Sequence, residues 1–398
     1  MKKAGFRRAL VGELTAALGK GLPFLHIITG PRQTGKTTAA KQVAEGWAGE
    51  VHIAAADSAL PPGPEWVRAQ WEIADLKRRS GRKVLLILDE VQKVRGWSES
   101  VKALWDRDGG TKPALRVILL GSSALLVQKG LSESLAGRFM PYRCGHWSWG
   151  EMREAFGWGL EDWLFFGGYP GAARLKDDPD AWTRYVSESL VETVLARDVL
   201  QMSAVTKPAL LRHLFALTAA FPAQILSYNK MLGQLQDAGN TTTLAHYLQL
   251  LEAAFLVSGL ERFTGGKGQK RGSSPKLVAW NNALVNALRS EDPAVARVDR
   301  AWRGRLVENA AGAHLLNGLE PSRYRLLYWR QGDQEVDYVL KTPKDFWAVE
   351  VKSGRAGKPQ GLAHFLKLHP QARPLIVGPG GMPLEEFFLT SPKSLFRG

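Results

Sequence analysis

The stretch that decides the fold is Phe24-Leu25-His26-Ile27-Ile28-Thr29-Gly30-Pro31-Arg32-Gln33-Thr34-Gly35-Lys36-Thr37-Thr38. An apolar run typical of a buried strand leads into a loop of the pattern G-x-x-x-x-G-K-[ST], and helix-forming residues follow. Glycines in such a loop let backbone N–H groups turn towards phosphate oxygens, at the positive end of the next helix. The stretch therefore predicts a phosphate-binding loop (P-loop) in an α/β domain.

Each residue type in this loop has an expected role. We expect Lys36 to contact the β- and γ-phosphate oxygens of ATP, and the Thr37 hydroxyl to ligate Mg²⁺. The other predicted nucleotide-binding positions are Gly30, Pro31, Arg32, Gln33, Thr34, Gly35 and Thr38. ATP and Mg²⁺ are thus the predicted cofactors.

A second apolar run, residues 84–88, ends in two carboxylates, Asp89 and Glu90. A continuous apolar run is typical of a strand that is buried on both faces of a parallel sheet. Asp89 at its carboxyl end is placed to hold Mg²⁺ through water, and Glu90 to polarise the attacking water. The alternative is an ordinary acidic turn. After a complete P-loop, the pair favours ATP hydrolysis.

Two further positions are candidates for catalysis. A third apolar strand, residues 116–120, runs into Gly121 and Ser122, and Ser122 is placed to sense the γ-phosphate between the two metal-site strands; the alternative is a turn. Arg138 is a candidate arginine finger, because its fixed, always-charged fork stabilises the charge of a transferring phosphoryl group. The alternative for Arg138 is a surface salt bridge.

The overall charge indicates the class of partner. The 398 residues contain 53 Lys plus Arg against 38 Asp plus Glu, a net charge of +15. Such a surplus favours DNA or another polyanion, whereas solubility alone or an anionic membrane surface are the alternatives. Cys144, the single cysteine, excludes an internal disulfide and suits a reducing cytoplasm. No apolar run is long enough to span a bilayer and no signal peptide is evident, so we expect a cytoplasmic protein.

Five motifs together resemble one protein family. They are Gly-Pro-Arg-Gln-Thr-Gly-Lys-Thr (30–37), Leu-Asp-Glu-Val-Gln-Lys-Val (88–94), Gly-Ser-Ser-Ala (121–124), Leu-Ala-Gly-Arg (135–138) and Phe-Gly-Gly-Tyr-Pro (166–170). In this order they resemble bacterial and archaeal AAA+ ATPases of the AAA_14 type with a C-terminal DUF4143 domain. The resemblance implies an α/β P-loop AAA+ domain (1–145), a helical lid or connector (146–205), a winged-helix-like domain (206–290) and a restriction-endonuclease-like α/β domain (291–398).

The resemblance also bears on assembly and departs at one place. In the family pattern Arg138 lies in a Gly-Arg motif similar to the arginine finger of related ATPases. If this residue acts on the ATP of a neighbouring subunit, the active form is a ring-type homo-oligomer. Asn281 and Asn282 stand after a strand where members often carry an aspartate.

The middle region predicts three amphipathic helices, residues 208–220, 227–238 and 241–254, followed by two short strands, 255–259 and 276–280. This order is that of a winged helix, in which a basic loop between the strands touches phosphates. The loop offers Lys267, Lys270 and Arg271 as candidate DNA contacts. The alternative is a winged helix that contacts only proteins, because the third helix is poor in base-reading side chains.

The C-terminal region carries a pattern of the nuclease type. Glu350 and Lys352 lie two apart on one predicted strand and point to one face, and with Asp337 they resemble the D…E-x-K core of PD-(D/E)XK nucleases. Asp337, Glu350 and Glu308 are the candidate Mg²⁺ ligands, and Lys352 would hold or deprotonate the water. The alternatives are solvated strand residues or a nuclease fold kept only as a DNA-binding shell. Further candidate DNA contacts are Arg303, Arg305 and Arg330.

Two functional hypotheses follow. The first is an oligomeric, Mg²⁺-dependent AAA+ ATPase that remodels or translocates on DNA, with a C-terminal domain that grips or cleaves it. The second is a nucleotide-dependent switch or adaptor that signals to a protein partner through an inert nuclease fold. The two differ in whether DNA changes the rate of ATP turnover.

Overall fold

The computed structural model describes every residue except 1–4, 59, 80, 110–113, 122–133, 201–204, 236–238, 266–273, 290, 292, 355–359 and 398. It divides into two compact units, Met1–Gly145 and His146–Gly398. Across the described ranges, each helix is too short or too polar to traverse a bilayer.

The first unit is built on a parallel sheet. Its strands are β1 (Leu25–Thr29), β2 (Glu50–Ala55), β3 (Val84–Asp89), β4 (Leu115–Leu120) and β5 (Phe139–Arg143). Their order across the sheet is β2-β3-β4-β1-β5. The three apolar runs predicted as strands are confirmed as β1, β3 and β4, with β4 between the other two. Ser122, the predicted γ-phosphate sensor, lies outside the described residues.

Helices cover both faces of this sheet. They are α1 (Ala9–Lys20), α2 (Lys36–Glu45), α3 (Pro64–Arg79) and α4 (Trp97–Arg107). Every residue of β3 is buried, because Leu86 and Leu88 pack into one core while Leu85 and Ile87 pack into the other. This burial explains the unbroken apolar run and fixes where Asp89 emerges at the carboxyl edge.

The second unit begins with a helical region. Its elements are α5 (Trp149–Phe156), α6 (Leu160–Phe166), α7 (Pro179–Arg184), two π-helical segments (Tyr185–Glu192 and Val194–Val199), α8 (Pro208–Ala220), α9 (Tyr228–Gln234) and α10 (Thr241–Ala253). Three helices lie where the middle region predicts them, but the second ends at Gln234 and is shorter than the predicted range 227–238, of which residues 236–238 are not described. The residues that predicted the helix starts have the expected roles. Ser227 and Asn240 each accept a backbone N–H as N-caps, and Pro208 lies in the first turn.

A hairpin follows these helices. Strands β6 (Val257–Leu260) and β7 (Lys276–Ala279) pair antiparallel, with Val257 opposite Ala279 and Leu260 opposite Lys276. Both were predicted, within two residues at each end. The hairpin is in turn joined to the next sheet, because Phe263 donates its N–H to the Tyr328 carbonyl at 2.7 Å.

The second sheet of this unit is mixed. The remaining elements are α11 (Ala283–Asn286), α12 (Pro293–Val298), α13 (Arg300–Gly318), β8 (Arg325–Gln331), β9 (Gln334–Lys341), β10 (Phe346–Val351), α14 (Gln360–Leu368), β11 (Arg373–Val377), α15 (Leu384–Leu389) and α16 (Pro392–Leu395). The strand order is β11-β10-β9-β8, and only β10 and β11 run parallel. The C-terminal α/β sheet domain expected from the sequence is confirmed.

Helices α13 and α14 contact this sheet. Phe365 of α14 lies in a core with Val336 and Val339 of β9. Helix α13 approaches through Gly312, where a β-carbon would lie 2.6 Å from the Tyr338 hydroxyl. Glu308 lies one turn before Gly312 on α13, so this close approach places it beside side chains of β9 and β10.

Candidate functional site

The P-loop has a backbone that only glycine tolerates at its first position. Gly30 has φ +152°, and a β-carbon there would lie 2.1 Å from the Cys144 carbonyl oxygen. Gly35, immediately before α2, has φ +91°. The loop thus wraps closely against the end of β5, and its shape is that of a phosphate cradle at a helix N-terminus.

The side chains with predicted nucleotide and metal roles lie together. The Lys36 ammonium donates to the carbonyls of Gly30 (3.0 Å) and Pro31 (2.6 Å). The Thr37 hydroxyl donates to Asp89 Oδ2 at 2.6 Å, across the intervening strand β4. Threonine hydroxyl and carboxylate oxygens are ligands that Mg²⁺ prefers, so these residues fit the predicted metal.

Glu90 is held in an unusual conformation beside this pair. Its φ is +54°, and its N–H donates to Asp89 Oδ1 at 2.8 Å. Its carboxylate accepts a hydrogen bond from Gln92 at 2.8 Å. A left-handed non-glycine residue next to a metal ligand is a form of local strain that clusters at functional sites.

Sequence reasoning missed Arg8, which braces the P-loop. Arg8 Nη1 donates to the carbonyls of Thr34 (3.0 Å) and Gly145 (2.9 Å) and approaches Cys144 Sγ at 3.1 Å. Thr34 is itself buried and donates to the Pro31 carbonyl at 2.9 Å. Only the basic character of the N-terminus hinted at this role, because Arg8 is 26 residues from Thr34 and 137 from Gly145 along the chain.

Arg138 lies at the amino ends of the strands, whereas the P-loop lies at their carboxyl ends. Parallel pairing places Phe139 opposite Leu25, so Arg138 precedes the amino end of β5 while the P-loop follows the carboxyl end of β1. Its guanidinium forms a bidentate pair with Asp106 at 2.8 and 3.0 Å. Five strand residues at about 3.3 Å each separate it from the P-loop edge by roughly 16 Å.

The C-terminal unit brings the predicted nuclease residues together. Asp337 Oδ2 accepts the backbone N–H of Val351 at 2.7 Å, which ties β9 to β10 beside Glu350. Lys352 Nζ contacts Glu350 Oε1 at 2.5 Å. The D…E-x-K residues therefore share one face, as the strand alternation predicted.

Two residues that the sequence reasoning did not select belong to the same cluster. Glu335, two residues before Asp337 on β9, offers a carboxylate to a group of three in which one oxygen of each lies within 4.8 Å of the others: Glu308, Glu335 and Asp337. Lys276, from β7, places its ammonium 2.6 Å from Glu308 and 3.0 Å from Glu335. The i, i+2 spacing in the sequence could have revealed Glu335; nothing local marks Lys276.

The cluster has strongly shifted titration. Burial raises the pKa of Glu350 to about 7, with the Asp337 charge adding to the shift. Burial also raises the pKa of Glu308 above its ordinary value, although the neighbouring Lys276 ammonium opposes this shift. Burial alone would lower the pKa of Lys276, but Glu308 and Asp337 together raise it well above its ordinary value, so this lysine stays charged.

A cavity of about 540 Å³ opens on this cluster. Its lining includes Glu308, Glu335, Asp337, Glu350 and the predicted DNA contact Arg330. Arg330 is exposed and donates to the Gly332 carbonyl at 3.2 Å.

Of the other predicted basic contacts, two have partners within the protein and three fall outside the described residues. Arg303 pairs with Glu161 (Nε to Oε2, 2.9 Å) and donates to the Ser353 carbonyl, and the Arg305 guanidinium lies 2.9 Å from the side-chain amide of Gln224. Lys267, Lys270 and Arg271 lie outside the described residues.

Family models match three successive segments. An AAA domain model matches residues 24–153, and the model of a domain of unknown function, DUF4143, matches residues 303–387. The chain carries an AAA domain followed by a DUF4143 domain. Between them a second domain of unknown function, DUF8612, matches residues 157–294. The AAA domain and the C-terminal DUF4143 domain expected from the sequence motifs are confirmed, and the P-loop site described above lies within the AAA domain.

The chain is similar to several relatives and solved structures at low identity. An uncharacterized protein of Mycobacterium tuberculosis is 28% identical over 87% of this chain and 74% of its own length, and one of Haemophilus influenzae is 23% identical over 83% of each. The Walker-type ATPase of Pyrococcus abyssi gives a TM-score of 0.49 at 15% identity, covering 72% of this chain and 97% of that one. The ORC1 protein of Aeropyrum pernix, solved in complex with DNA, gives 0.31 at 15% identity, covering 75% and 96%.

Proposed function

We propose that this AAA-domain protein is a Mg²⁺-dependent ATP hydrolase that acts on DNA as a homo-oligomer. The observation that carries the proposal is the 2.6 Å contact between the Thr37 hydroxyl and Asp89. It brings together, from the P-loop and from β3, the two ligand types that hold the metal of a nucleotide in P-loop proteins. When bound, Mg²⁺ supplies charge neutralisation at the phosphates.

The chain's own residues have separate tasks in this proposal. Lys36, now on the carbonyls of Gly30 and Pro31, would exchange these partners for phosphate oxygens. Glu90, held beside Asp89 by its backbone hydrogen bond, would orient and polarise the attacking water. Arg8 would keep the loop in the shape that the phosphates require, through its bond to the Thr34 carbonyl.

The proposal that DNA is the substrate is supported by the net charge of the chain. The net charge of +15 favours a polyanion, and phosphate contacts of this kind weaken steeply with salt. The exposed Arg330 is a candidate contact. We propose that the C-terminal domain grips DNA, and that ATP turnover moves or remodels it.

The test is the ATP hydrolysis rate with Mg²⁺ at low salt, alone and with single-stranded, duplex and branched DNA. We expect one form of DNA to stimulate turnover. Lys36→Ala should abolish turnover, while Lys41→Ala, an exposed lysine on the same helix, should leave it unchanged. A measurable rate that no DNA changes would contradict the DNA-acting proposal without touching ATP hydrolysis.

A second candidate function is a nucleotide-dependent switch that signals to a protein partner. One observation favours it: the carboxylates of the nuclease-like cluster are already paired with Lys276. Slow, DNA-independent turnover with no Mg²⁺-dependent cleavage is the expected result for this function.

A further inference from the structure

Lys276 is the most unusual residue of the C-terminal unit. It opens β7 between Pro275 and Leu277, and its side chain has no exposed surface. A lysine is almost never fully buried unless it is paired, because removing an ammonium from water costs several kcal/mol. Its partners therefore have to explain its position.

The partners are three carboxylates: the predicted Mg²⁺ ligands Glu308 and Asp337, and Glu335, which the sequence did not single out. The ammonium lies 2.6 Å from Glu308 Oε1, 3.0 Å from Glu335 Oε1 and 3.7 Å from Asp337 Oδ1. The Tyr338 ring, 5.1 Å from Nζ, adds a cation–π contact on the remaining side. Helix α13 and strand β9 thus supply the groups that surround the buried cation of β7.

A divalent ion and this ammonium would compete for the same carboxylate oxygens. Mg²⁺ requires oxygens at about 2.1 Å, and Mn²⁺ occupies a similar shell, so an ion bound by the same oxygens would lie within about 5 Å of Nζ. Two cations at that separation repel strongly in a buried site. The carboxylates are of the right type for a metal, but the residues as arranged do not fit one.

We propose that Lys276 is the resident cation of this cluster and excludes a divalent metal ion from Glu308, Glu335 and Asp337. As long as Lys276 occupies the cluster, the nuclease-like fold has no metal-dependent cleavage activity. The lysine also supplies the charge that lets three carboxylates stand together in a half-buried cleft. This inference goes beyond the proposed ATP hydrolysis and does not depend on it, because the P-loop residues belong to the other unit.

The experiment is a Mn²⁺ titration of the full-length chain without nucleotide, followed by the electron paramagnetic resonance signal of free Mn²⁺ and by the melting temperature. All proteins carry Thr37→Ala and Asp89→Asn, which remove the P-loop ligands. In that background we expect no Mn²⁺ binding that depends on Asp337. Adding Lys276→Met, which keeps an unbranched side chain and removes the charge, should create a Mn²⁺ site. We expect its affinity to exceed that of any residual Mn²⁺ binding by the background protein by about tenfold or more, and Mn²⁺ to raise the melting temperature.

Two controls separate the cluster from general charge effects. Lys276→Met combined with Asp337→Asn should lose the new site. Lys341→Met makes the same charge change on β9, at a side chain that lies 5.2 Å from the Phe263 ring, and should bind no Mn²⁺. If Lys276→Met folds only when Mn²⁺ is present during refolding, that rescue also supports the proposal.

Three outcomes would overturn it. Mn²⁺ binding to the Lys276 protein that Asp337→Asn abolishes would mean that the lysine does not exclude the metal. A folded Lys276→Met protein with no Mn²⁺ site would mean that the carboxylates are not a latent metal shell. A Lys276→Met protein that neither folds nor recovers with Mn²⁺ would mean that the lysine's role is not that of a replaceable cation.

Discussion

Arg8 shows how a single side chain outside the motif can set the geometry of the P-loop. Its guanidinium donates to the carbonyls of Thr34 and Gly145, which join the loop to the residues after β5. Its neighbour Arg7 makes only a 3.7 Å ion pair with Glu45, in which both side chains are about 60% or more exposed. The two arginines therefore offer a matched comparison of a bracing residue and a surface charge.

We expect Arg8→Ala to raise the KM for ATP several-fold and to lower the melting temperature. A hydrogen bond from a charged donor contributes about 1.5–3 kcal/mol, and the loop loses two such bonds to carbonyls. Steady-state ATP hydrolysis and thermal melting measure the two effects. Arg7→Ala is the control and should change neither, because an exposed ion pair contributes little. Equal effects of both variants would show that only local charge matters.

The sequence predicted which residues would form the P-loop and carboxylate sites, but not every side chain that contacts them. Lys36, Thr37 and Asp89 could be predicted because the motif fixes their spacing along the chain. Lys276 could not, because a lysine at the start of a short apolar run is typical of any strand end. Its partners Glu308 and Glu335 are more than thirty residues away, and only the fold brings them together.

At the element scale, prediction succeeded where burial leaves a pattern in the sequence. Strand β3 is buried on both faces and reads as an unbroken apolar run. Strands β2 and β5 were not predicted, because they form the two edges of the sheet and are only partly buried. Strand β5 even contains Pro141, which is tolerated at an edge where no ladder donor is needed.

Helix α13 links the carboxylate cluster to the C-terminal helices, through a histidine whose ionisation opposes folding. His314 is packed against Phe387 and Phe388, with ring centroids 5.1 and 5.6 Å away, and contacts the Thr390 carbonyl at 3.1 Å. Burial lowers the pKa of His314 to about 4. The folded state therefore keeps the ring neutral, whereas the unfolded chain takes up a proton below about pH 6.5.

We expect the free energy of unfolding of this unit to fall as pH falls from 6.5 towards 4. With a folded pKa of about 4, His314 alone accounts for a loss on the order of 1 kcal/mol between pH 7.5 and 5.5. Denaturant unfolding at the two pH values measures the loss, and His314→Gln should reduce it. The exposed His246→Gln, on α10, should leave the pH dependence intact. An unchanged dependence in His314→Gln would contradict the assignment.

At the scale of the whole molecule, the position of Arg138 bears on assembly. It stands at the amino edge of the parallel sheet, whereas the P-loop stands at the carboxyl edge of the same sheet. Within one chain this arginine is thus on the wrong side to reach the phosphates of its own nucleotide. A catalytic role for Arg138 requires that a second copy present it, which is the geometry expected of a ring.

Mixing two inactive variants tests this role directly. We expect Arg138→Ala to lose at least about a thousandfold in kcat, as arginine fingers do, and Lys36→Ala to be inactive because it cannot hold ATP. In an equimolar mixture, half of the sites belong to Arg138→Ala subunits and half of those face an intact arginine. The mixture should therefore recover about a quarter of the wild-type rate. Asp106→Asn, which breaks the ion pair but keeps the guanidinium, should remain active. A mixture no more active than its components would show that Arg138 is a surface ion-pair residue and not a finger.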